Sequence, residues 1–81
     1  MTTRQLVANR LMKLCLDRNL PLNKLARLSA VPPSTLKSII NGDSANPGIV
    51  TIKLLCDGLG ISLFEFFDTD EFRSLMPEDI Q

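Results

Sequence analysis

The stretch that decides the fold runs from Leu20 to Gly42 and has the sequence LPLNKLARLSAVPPSTLKSIING. Its first half carries apolar residues at helical spacing behind a proline, whose fixed φ suits the first turn of a helix. We therefore expect a short helix that begins at Pro21 and ends near Ser29. Pro32-Pro33 then permits only an extended approach and a new helix start, because proline disfavours the α-conformation in the preceding residue. The second helix should span 33–41, with Gly42 as its C-terminal cap.

Four further segments are predicted to be helical. Apolar residues recur at spacings of three and four over 3–18 and again over 49–59. Gly58 costs about 1 kcal/mol inside a helix relative to alanine, so it indicates a close helix–helix contact. Ser62-Leu63-Phe64-Glu65 is a capping box that should begin a fifth helix, and another turn is expected over Asp70–Met76. No strand alternation is present, so the sequence predicts an all-α, compact five-helix domain with a short C-terminal helical tail.

Length and composition limit the classes of protein. The chain has 81 residues, enough for one domain, and its content of 44% hydrophobic and 22% charged residues is typical of a folded domain. No stretch approaches the roughly 20 apolar residues of a membrane span, and the N-terminus shows no apolar signal core. We therefore expect a cytoplasmic protein that does not enter a membrane.

Catalysis and metal binding are disfavoured by residue content. The chain has no histidine, no nucleophile-and-base pair at suggestive spacing and no glycine-rich phosphate loop, so an enzyme is not expected. Cys15 and Cys56 lie far apart, and without histidine they do not complete a metal site. We expect both to be buried as small hydrophobic residues.

The charges are distributed unevenly along the chain although the net charge is zero. Residues 1–67 contain eight basic and four acidic residues, so 8 − 4 gives +4, whereas residues 68–81 contain one basic and five acidic residues, giving −4. This pattern suggests a domain over 1–68 and an acidic tail over 69–81. A basic body is compatible with DNA as a partner, but a lysine-rich solvated face explains the charge equally well.

The candidate function comes from the helix pair at 21–29 and 33–41. Two short helices joined by about three residues must cross steeply, which is the geometry of the helix-turn-helix that places its second helix in the DNA major groove. The outward face of that second helix is small or polar. Its hydroxyl, amide and ammonium groups can bond base edges or phosphates, although an ordinary solvated helix has a similar face. The residues of this face are Ser34, Thr35, Lys37, Ser38 and Asn41.

Four segments in the same order resemble the lambda-repressor/Cro family of helix-turn-helix proteins, also called the xenobiotic-response-element family. They are Leu20–Ala26, Val31–Gly42, Asn46–Ile52 and Leu59–Phe67. The resemblance implies a five-helix bundle that binds double-stranded DNA, commonly as a homodimer on a palindromic operator, with no cofactor and no catalysis. It also implies that Leu25, Ala26, Val31, Leu36 and Ile39 hold the two helices together and that Pro33, Ser34, Lys37 and Ser38 face the groove. With the helix face above and the following loop, the expected DNA-binding residues are Pro33, Ser34, Thr35, Lys37, Ser38, Asn41, Ser44 and Asn46.

The chain departs from the resembled family at several positions. Pro21 and Leu22 stand where the family usually has serine and glutamine, and Ile40 stands where many members have glutamate. The second helix also lacks the arginine and glutamine side chains that make bidentate base contacts. A transcriptional repressor remains the first hypothesis. The alternative is a degenerate helix-turn-helix domain that binds protein and not DNA, which should carry an apolar patch across 33–38 and 43–48.

The C-terminal end supplies the candidate dimer surface. Phe64 should project from helix five on the side opposite to Leu63 and Phe66. The candidate contact residues are Phe64, Phe67, Phe72, Leu75 and Met76, and each of them could instead belong to the core. The acidic residues of the tail should keep this end away from phosphates.

Overall fold

The computed structural model describes residues 2–43 and 46–78, and within them the chain forms six α-helices and no strand. This confirms the all-α fold class. The helices are α1 (Thr3–Asp17), α2 (Leu22–Ser29), α3 (Pro33–Asn41), α4 (Ile49–Leu59), α5 (Leu63–Phe67) and α6 (Asp70–Arg73).

The ends of α1 are set by local hydrogen bonds. Thr2 and Gln5 form a reciprocal capping box at its start, a T-x-x-Q pattern that is visible in the sequence and was not among the predictions. At its end Asn19 has φ 50°, the left-handed conformation expected of an asparagine that closes a helix. The Leu20 N–H then donates to the Cys15 carbonyl at 2.9 Å, which turns the chain towards α2.

Helices α5 and α6 both begin at a hydroxyl cap. The Ser62 hydroxyl accepts a hydrogen bond from the Glu65 N–H at 3.0 Å, as the capping-box sequence predicts, and Thr69 does the same for Phe72 at 3.2 Å. The predicted extent of α6 to Met76 is wrong, because the helix ends at Arg73. Only Phe72 of this segment packs on the core, and Pro77 disfavours a helical conformation at the residue before it.

The core is one cluster to which helices α1 to α5 contribute buried apolar side chains. Phe66, Leu11, Leu25, Leu55 and Cys56 are its most completely buried members, each with no exposed surface. Cys15 is buried as well, so both cysteines occupy the interior, as expected. Burial raises the pKa of both thiols, which keeps them protonated and unreactive at neutral pH.

The principal helix contact is the packing of α4 on α2, and it depends on Gly58. A Cβ atom at Gly58 would lie 2.0 Å from the Ser29 Oγ and 3.2 Å from Leu25 Cδ1. The close contact predicted for this glycine is therefore confirmed. Ser29 is only 3% exposed, and its Oγ has no hydrogen-bond partner among the described residues. The contact thus joins two helices at the cost of one unpaired buried hydroxyl.

None of the described helices is long and apolar enough to cross a membrane.

A double-mutant cycle tests the α2–α4 contact. Gly58→Ala should lower the free energy of unfolding by about 1–3 kcal/mol, because its methyl group overlaps the Ser29 hydroxyl. Ser29→Ala should be neutral or stabilising, because it removes a buried hydroxyl without a partner. Gly58→Ala should then cost less in the Ser29→Ala background, where the nearest Ser29 atom is Cβ at 3.2 Å. Denaturant unfolding measures all four proteins.

The control for this cycle is Gly48→Ala, at a glycine whose added Cβ meets only Thr51 Oγ1 at 3.9 Å. It should show a smaller loss, and one that Ser29→Ala does not change. Equal losses from Gly58→Ala in both backgrounds would contradict the steric explanation.

Candidate nucleic-acid interface

Helices α2 and α3 are joined by three residues, Ala30, Val31 and Pro32. Ala30 adopts the left-handed conformation with φ 55°, which is unfavourable for a residue with a Cβ atom and was not anticipated from the sequence. The turn is compensated by Val31, which is buried and donates its N–H to the Ala26 carbonyl at 3.0 Å. The five residues expected to hold the helix pair together, Leu25, Ala26, Val31, Leu36 and Ile39, all belong to the core.

Helix α3 packs on α1 and α2 and leaves one polar face open. Ser34, Lys37, Ser38 and Asn41 follow the spacing i, i+3, i+4, i+7, so they share one side of the helix. We call these four residues the α3 outward face. Ser38 is half-buried and the other three are exposed. The opposite side carries Leu36 and Ile39, which are buried.

The remaining predicted DNA-binding residues lie around this face. Pro33 and Thr35 are exposed in the first turn of α3, and Asn46 is exposed in the loop that leads to α4. Ser44 lies outside the described residues. Asn46 lines a cavity of about 580 Å³ together with Arg4, at the start of α1. The structure therefore brings together the predicted residues of α3 and places Asn46 beside α1.

The beginning of α3 has no side-chain cap. Pro32 occupies the N-cap position, and neither the Ser34 nor the Thr35 hydroxyl caps the helix in its place. Helix α2 likewise begins at Leu22 behind Pro21 without a side-chain cap, one residue later than predicted. The two uncapped helix starts border a common cavity of about 280 Å³, the α2–α3 cavity, lined by Leu22, Asn23, Pro33, Ser34, Leu36 and Lys37.

The helix pair is positively charged. Residues 18–42 include four basic residues and no acidic one. This local excess of positive charge is visible in the sequence, and it locates the basic surface more narrowly than the division of charge at residue 67 does. Lys24, Arg27 and Lys37 are exposed, and none of them forms an ion pair with another described residue. Their charges are free to meet an anionic partner.

The basic residues elsewhere are mostly engaged within the chain. Lys13 pairs with Asp17 at 3.5 Å and Lys53 pairs with Asp57, each one turn along the same helix. Arg73 contacts Asp68 and Asp70. Lys53 is therefore not a free cation beside the α3 outward face.

Arg10 has a structural role that the sequence did not indicate. Its Nε donates to the Phe66 carbonyl at 2.9 Å, and its Nη2 donates to the Glu65 carbonyl at 3.0 Å. These carbonyls lie at the C-terminal end of α5, where backbone acceptors lack helical partners and a cation is favourable. Arg10 thus joins α1 to α5 and is not available to a ligand.

The candidate dimer residues divide into two groups. Phe64 and Met76 are 77% and 80% exposed, so they offer apolar surface to a partner. Phe67 and Phe72 are half-buried and pack edge-to-face with ring centroids 4.9 Å apart, and both contact the core. Leu75 is half-buried.

The acidic tail returns to the start of α1. The Glu78 carboxylate accepts hydrogen bonds from the Thr3 hydroxyl and from the Thr3 N–H, the latter at 3.1 Å. These bonds lower the pKa of Glu78, and the nearby charge of Arg4 lowers it further. Glu78 also lines the same cavity as Asn46. The sequence suggests that the acidic tail lies away from the candidate interface, but this carboxylate lies beside one of its predicted residues.

Comparison with known proteins assigns this architecture. A family model described as helix-turn-helix matches residues 11–66, from the middle of α1 to α5. The chain belongs to the Cro/CI-like helix-turn-helix family. It is also similar to the crystal structure of the prophage Lp1 protein 11, with 35% sequence identity and a TM-score of 0.80. That match covers 91% of this chain and 97% of the other. No protein of curated function matches the sequence.

Membership of this helix-turn-helix family makes the chain a DNA-binding transcription regulator in general terms. The helices α2 and α3 are the helix-turn-helix pair, and both lie within the matched region.

The contact between Glu78 and Thr3 predicts a pH dependence. The folded-state pKa of Glu78 is depressed, so its contact is formed above the ordinary glutamate pKa of about 4.3 and is lost as pH falls through the lower folded value. The Thr3 amide resonance should therefore titrate with a midpoint below about pH 4.3. Glu78→Gln should abolish this titration, whereas Glu71→Gln, at another tail carboxylate, should preserve it. A Thr3 resonance unaffected by Glu78→Gln would contradict the contact.

Proposed function

We propose that the chain is a sequence-specific transcriptional repressor that inserts α3 into the major groove of double-stranded DNA. The supporting observation is the polar α3 outward face on a helix pair whose exposed cations Lys24, Arg27 and Lys37 form no ion pair with a described residue. In this arrangement α2 crosses the DNA backbone and α3 enters the groove. Repression is the simplest regulatory output, because a protein that occupies an operator can block transcription without further contacts. Such a protein acts in the cytoplasm of a prokaryotic or phage-carrying cell.

The contacts have distinct roles in this proposal. Lys37 neutralises a phosphate and fixes the position of α3 along the duplex. The hydroxyls of Ser34 and Ser38 and the Asn41 amide lie on the same side of the helix, within the reach of base edges or sugar-phosphate oxygens. Thr35 and Asn46 extend the contact at its two ends, and Ser44 stays a predicted contact outside the described residues. No catalytic group and no cofactor is part of this function.

A dimer is the proposed working state. One recognition helix covers half a site, and a two-fold pair of helices matches a palindromic operator with half-sites about one DNA turn apart. Phe64 and Met76 support a C-terminal dimer surface because they are the most exposed large apolar side chains of the described residues. Phe67 and Phe72 pack on the core and connect that surface to the rest of the domain.

Binding of a protein partner is the second candidate. Ile49 and Val50 are 58% and 70% exposed directly after the loop at 43–48, which favours an apolar contact at that edge. The α3 outward face itself carries no large apolar side chain. Selection of bound sequences from a random duplex library decides between the two functions: enrichment of a motif supports DNA recognition, and a failure to enrich any sequence supports the protein-binding alternative.

The salt dependence of DNA affinity tests the role of Lys37. Lys37→Ala should lower affinity for all sequences alike and reduce the slope of log K against log salt by about 1, because one phosphate contact is lost. Lys13→Ala is the matched control, since Lys13 pairs with Asp17 and lies beside Thr69 and Glu71 of the tail segment. It should leave the slope unchanged. Equal slopes for wild type and Lys37→Ala would remove Lys37 from the interface.

Sedimentation of two phenylalanine variants tests the dimer. Phe64→Asp should give a monomer of nearly normal stability, because the side chain is 77% exposed and a charge there opposes association. Its operator affinity should fall with the loss of the second half-site. Phe72→Ala should instead lower the melting temperature, because Phe72 packs on Phe66 and Phe67. A wild-type protein that stays monomeric at high micromolar concentration, with and without DNA, would refute the dimer.

A further inference from the structure

The first turn of α3 lacks the side chains that usually identify bases. Residues 32–36 are Pro-Pro-Ser-Thr-Leu, with no arginine, lysine, asparagine or glutamine among them. Pro32 and Pro33 also have no backbone N–H to donate. If this turn enters the groove, its side-chain hydrogen bonds to bases are limited to two hydroxyl groups. What it presents in greater amount is apolar surface.

That apolar surface is concave. The α2–α3 cavity has a volume of about 280 Å³ and lies between the starts of the two helices. Its apolar wall consists of Leu22, Leu36 and Pro33. Leu36 is buried and Leu22 is half-buried, whereas Pro33 is exposed. Asn23, Ser34 and Lys37 are its polar residues. The cavity is larger than a methyl group, so it can receive one together with the adjoining edge of a base.

The charge around the cavity selects a partner of negative charge. Lys37 borders it and Lys24 follows Asn23 on α2, and neither forms an ion pair with a described residue. An occupant must therefore combine an apolar group with a neighbouring anionic backbone. In the major groove the 5-methyl group of thymine has this character, because it is the one apolar group that the unmodified base pairs present there.

We propose that the α2–α3 cavity receives the 5-methyl group of thymine, so that this protein identifies its operator in part by methyl contact. This inference rests on the proposed function, since it requires α3 to lie in the major groove. Pro33 is the specificity-determining residue, because its ring stands at the exposed side of the cavity. Lys37 holds the adjacent phosphate and contributes equally at all sequences.

Base-analogue substitution in the selected operator tests this proposal. Each thymine is replaced in turn by deoxyuridine, which lacks only the 5-methyl group. At one thymine of each half-site, affinity should fall about fourfold, corresponding to about 0.8 kcal/mol for one buried methyl group. The other thymines should show no change. A second series places deoxycytidine or 5-methyldeoxycytidine, paired with guanine, at the sensitive position, and the methylated base should bind more tightly if the cavity accepts any 5-methylpyrimidine.

Protein variants assign the effect to the cavity. Pro33→Ala should bind the thymine and deoxyuridine operators with equal affinity, because the ring atoms that border the methyl group are gone. Thr35→Ala, in the same helix turn but outside the cavity lining, should preserve the fourfold ratio. The ratio of affinities is the measured quantity, so a general change in binding by Pro33→Ala does not obscure it. Melting temperatures of both variants establish that they are folded.

The outcomes distinguish a failure of methyl recognition from a failure of the proposed DNA-binding function. Equal binding of thymine and deoxyuridine operators at every position would overturn methyl recognition while leaving DNA binding intact. A thymine preference that survives in Pro33→Ala would also overturn it, since another site would then contact the methyl group. Sensitivity to deoxyuridine without a gain from 5-methyldeoxycytidine supports thymine as the specific occupant. If the library yields no enriched sequence, the proposed function fails, and this inference fails with it.

Discussion

The close approach of α4 to α2 at Gly58 and Ser29 constrains the whole molecule. Helix α2 is only eight residues long, too short to be stable alone, so its position depends on the helices that pack against it. Helix α3 is nearly as short and packs on α2 and α1. A wider separation at Gly58 would move α2 away from the core and would tilt α3 with it. The unpaired hydroxyl of Ser29 is tolerated at this point because a small side chain is needed there, and the position of the candidate DNA-binding surface follows from that packing.

Although the net charge of the chain is zero, its basic residues fall into two groups, those engaged by groups of the chain itself and those without an ion pair among the described residues. Arg10 holds the carbonyl end of α5, while Lys13, Lys53 and Arg73 pair with carboxylates on their own or neighbouring turns. Exposed pairs of this kind contribute little stability, but they neutralise charge locally. The charge that remains is concentrated where no acidic residue occurs, between 18 and 42. A positive field at that surface favours approach to a polyanion although the whole protein carries no net charge.

Much of this organisation was predictable because it depends on local rules. Proline, glycine and asparagine set the ends of the helices, and the 3.6-residue period predicts their buried faces. The cost of glycine inside a helix indicates the close contact at Gly58. The features that sequence reasoning missed are of two kinds. The role of Arg10 joins residues 55 and 56 positions apart, and no local pattern encodes such a pairing. Ala30 in a left-handed conformation is a case in which packing of the neighbouring Val31 overrides the preference of the residue itself, whereas α6 ends at Arg73 because only Phe72 of its segment packs on the core. For the interface, sequence indicated which residues share a face, whereas the cavity between α2 and α3 emerged only from the positions of two helices.

The composition of α3 connects the two proposals about recognition. A bidentate base contact contributes about 1–3 kcal/mol of discrimination, whereas burial of one methyl group contributes about 0.8 kcal/mol. A helix that depends on small hydroxyls and a methyl contact therefore discriminates weakly on a single half-site, by about fourfold per methyl group. When two copies bind one palindrome, the same contact is made twice and the ratios multiply, to about sixteenfold for two methyl groups. Sequence-dependent DNA shape adds preference at bases that the protein does not contact. If both proposals hold, specificity depends as much on the apolar C-terminal surface proposed to join two copies as on the residues of α3.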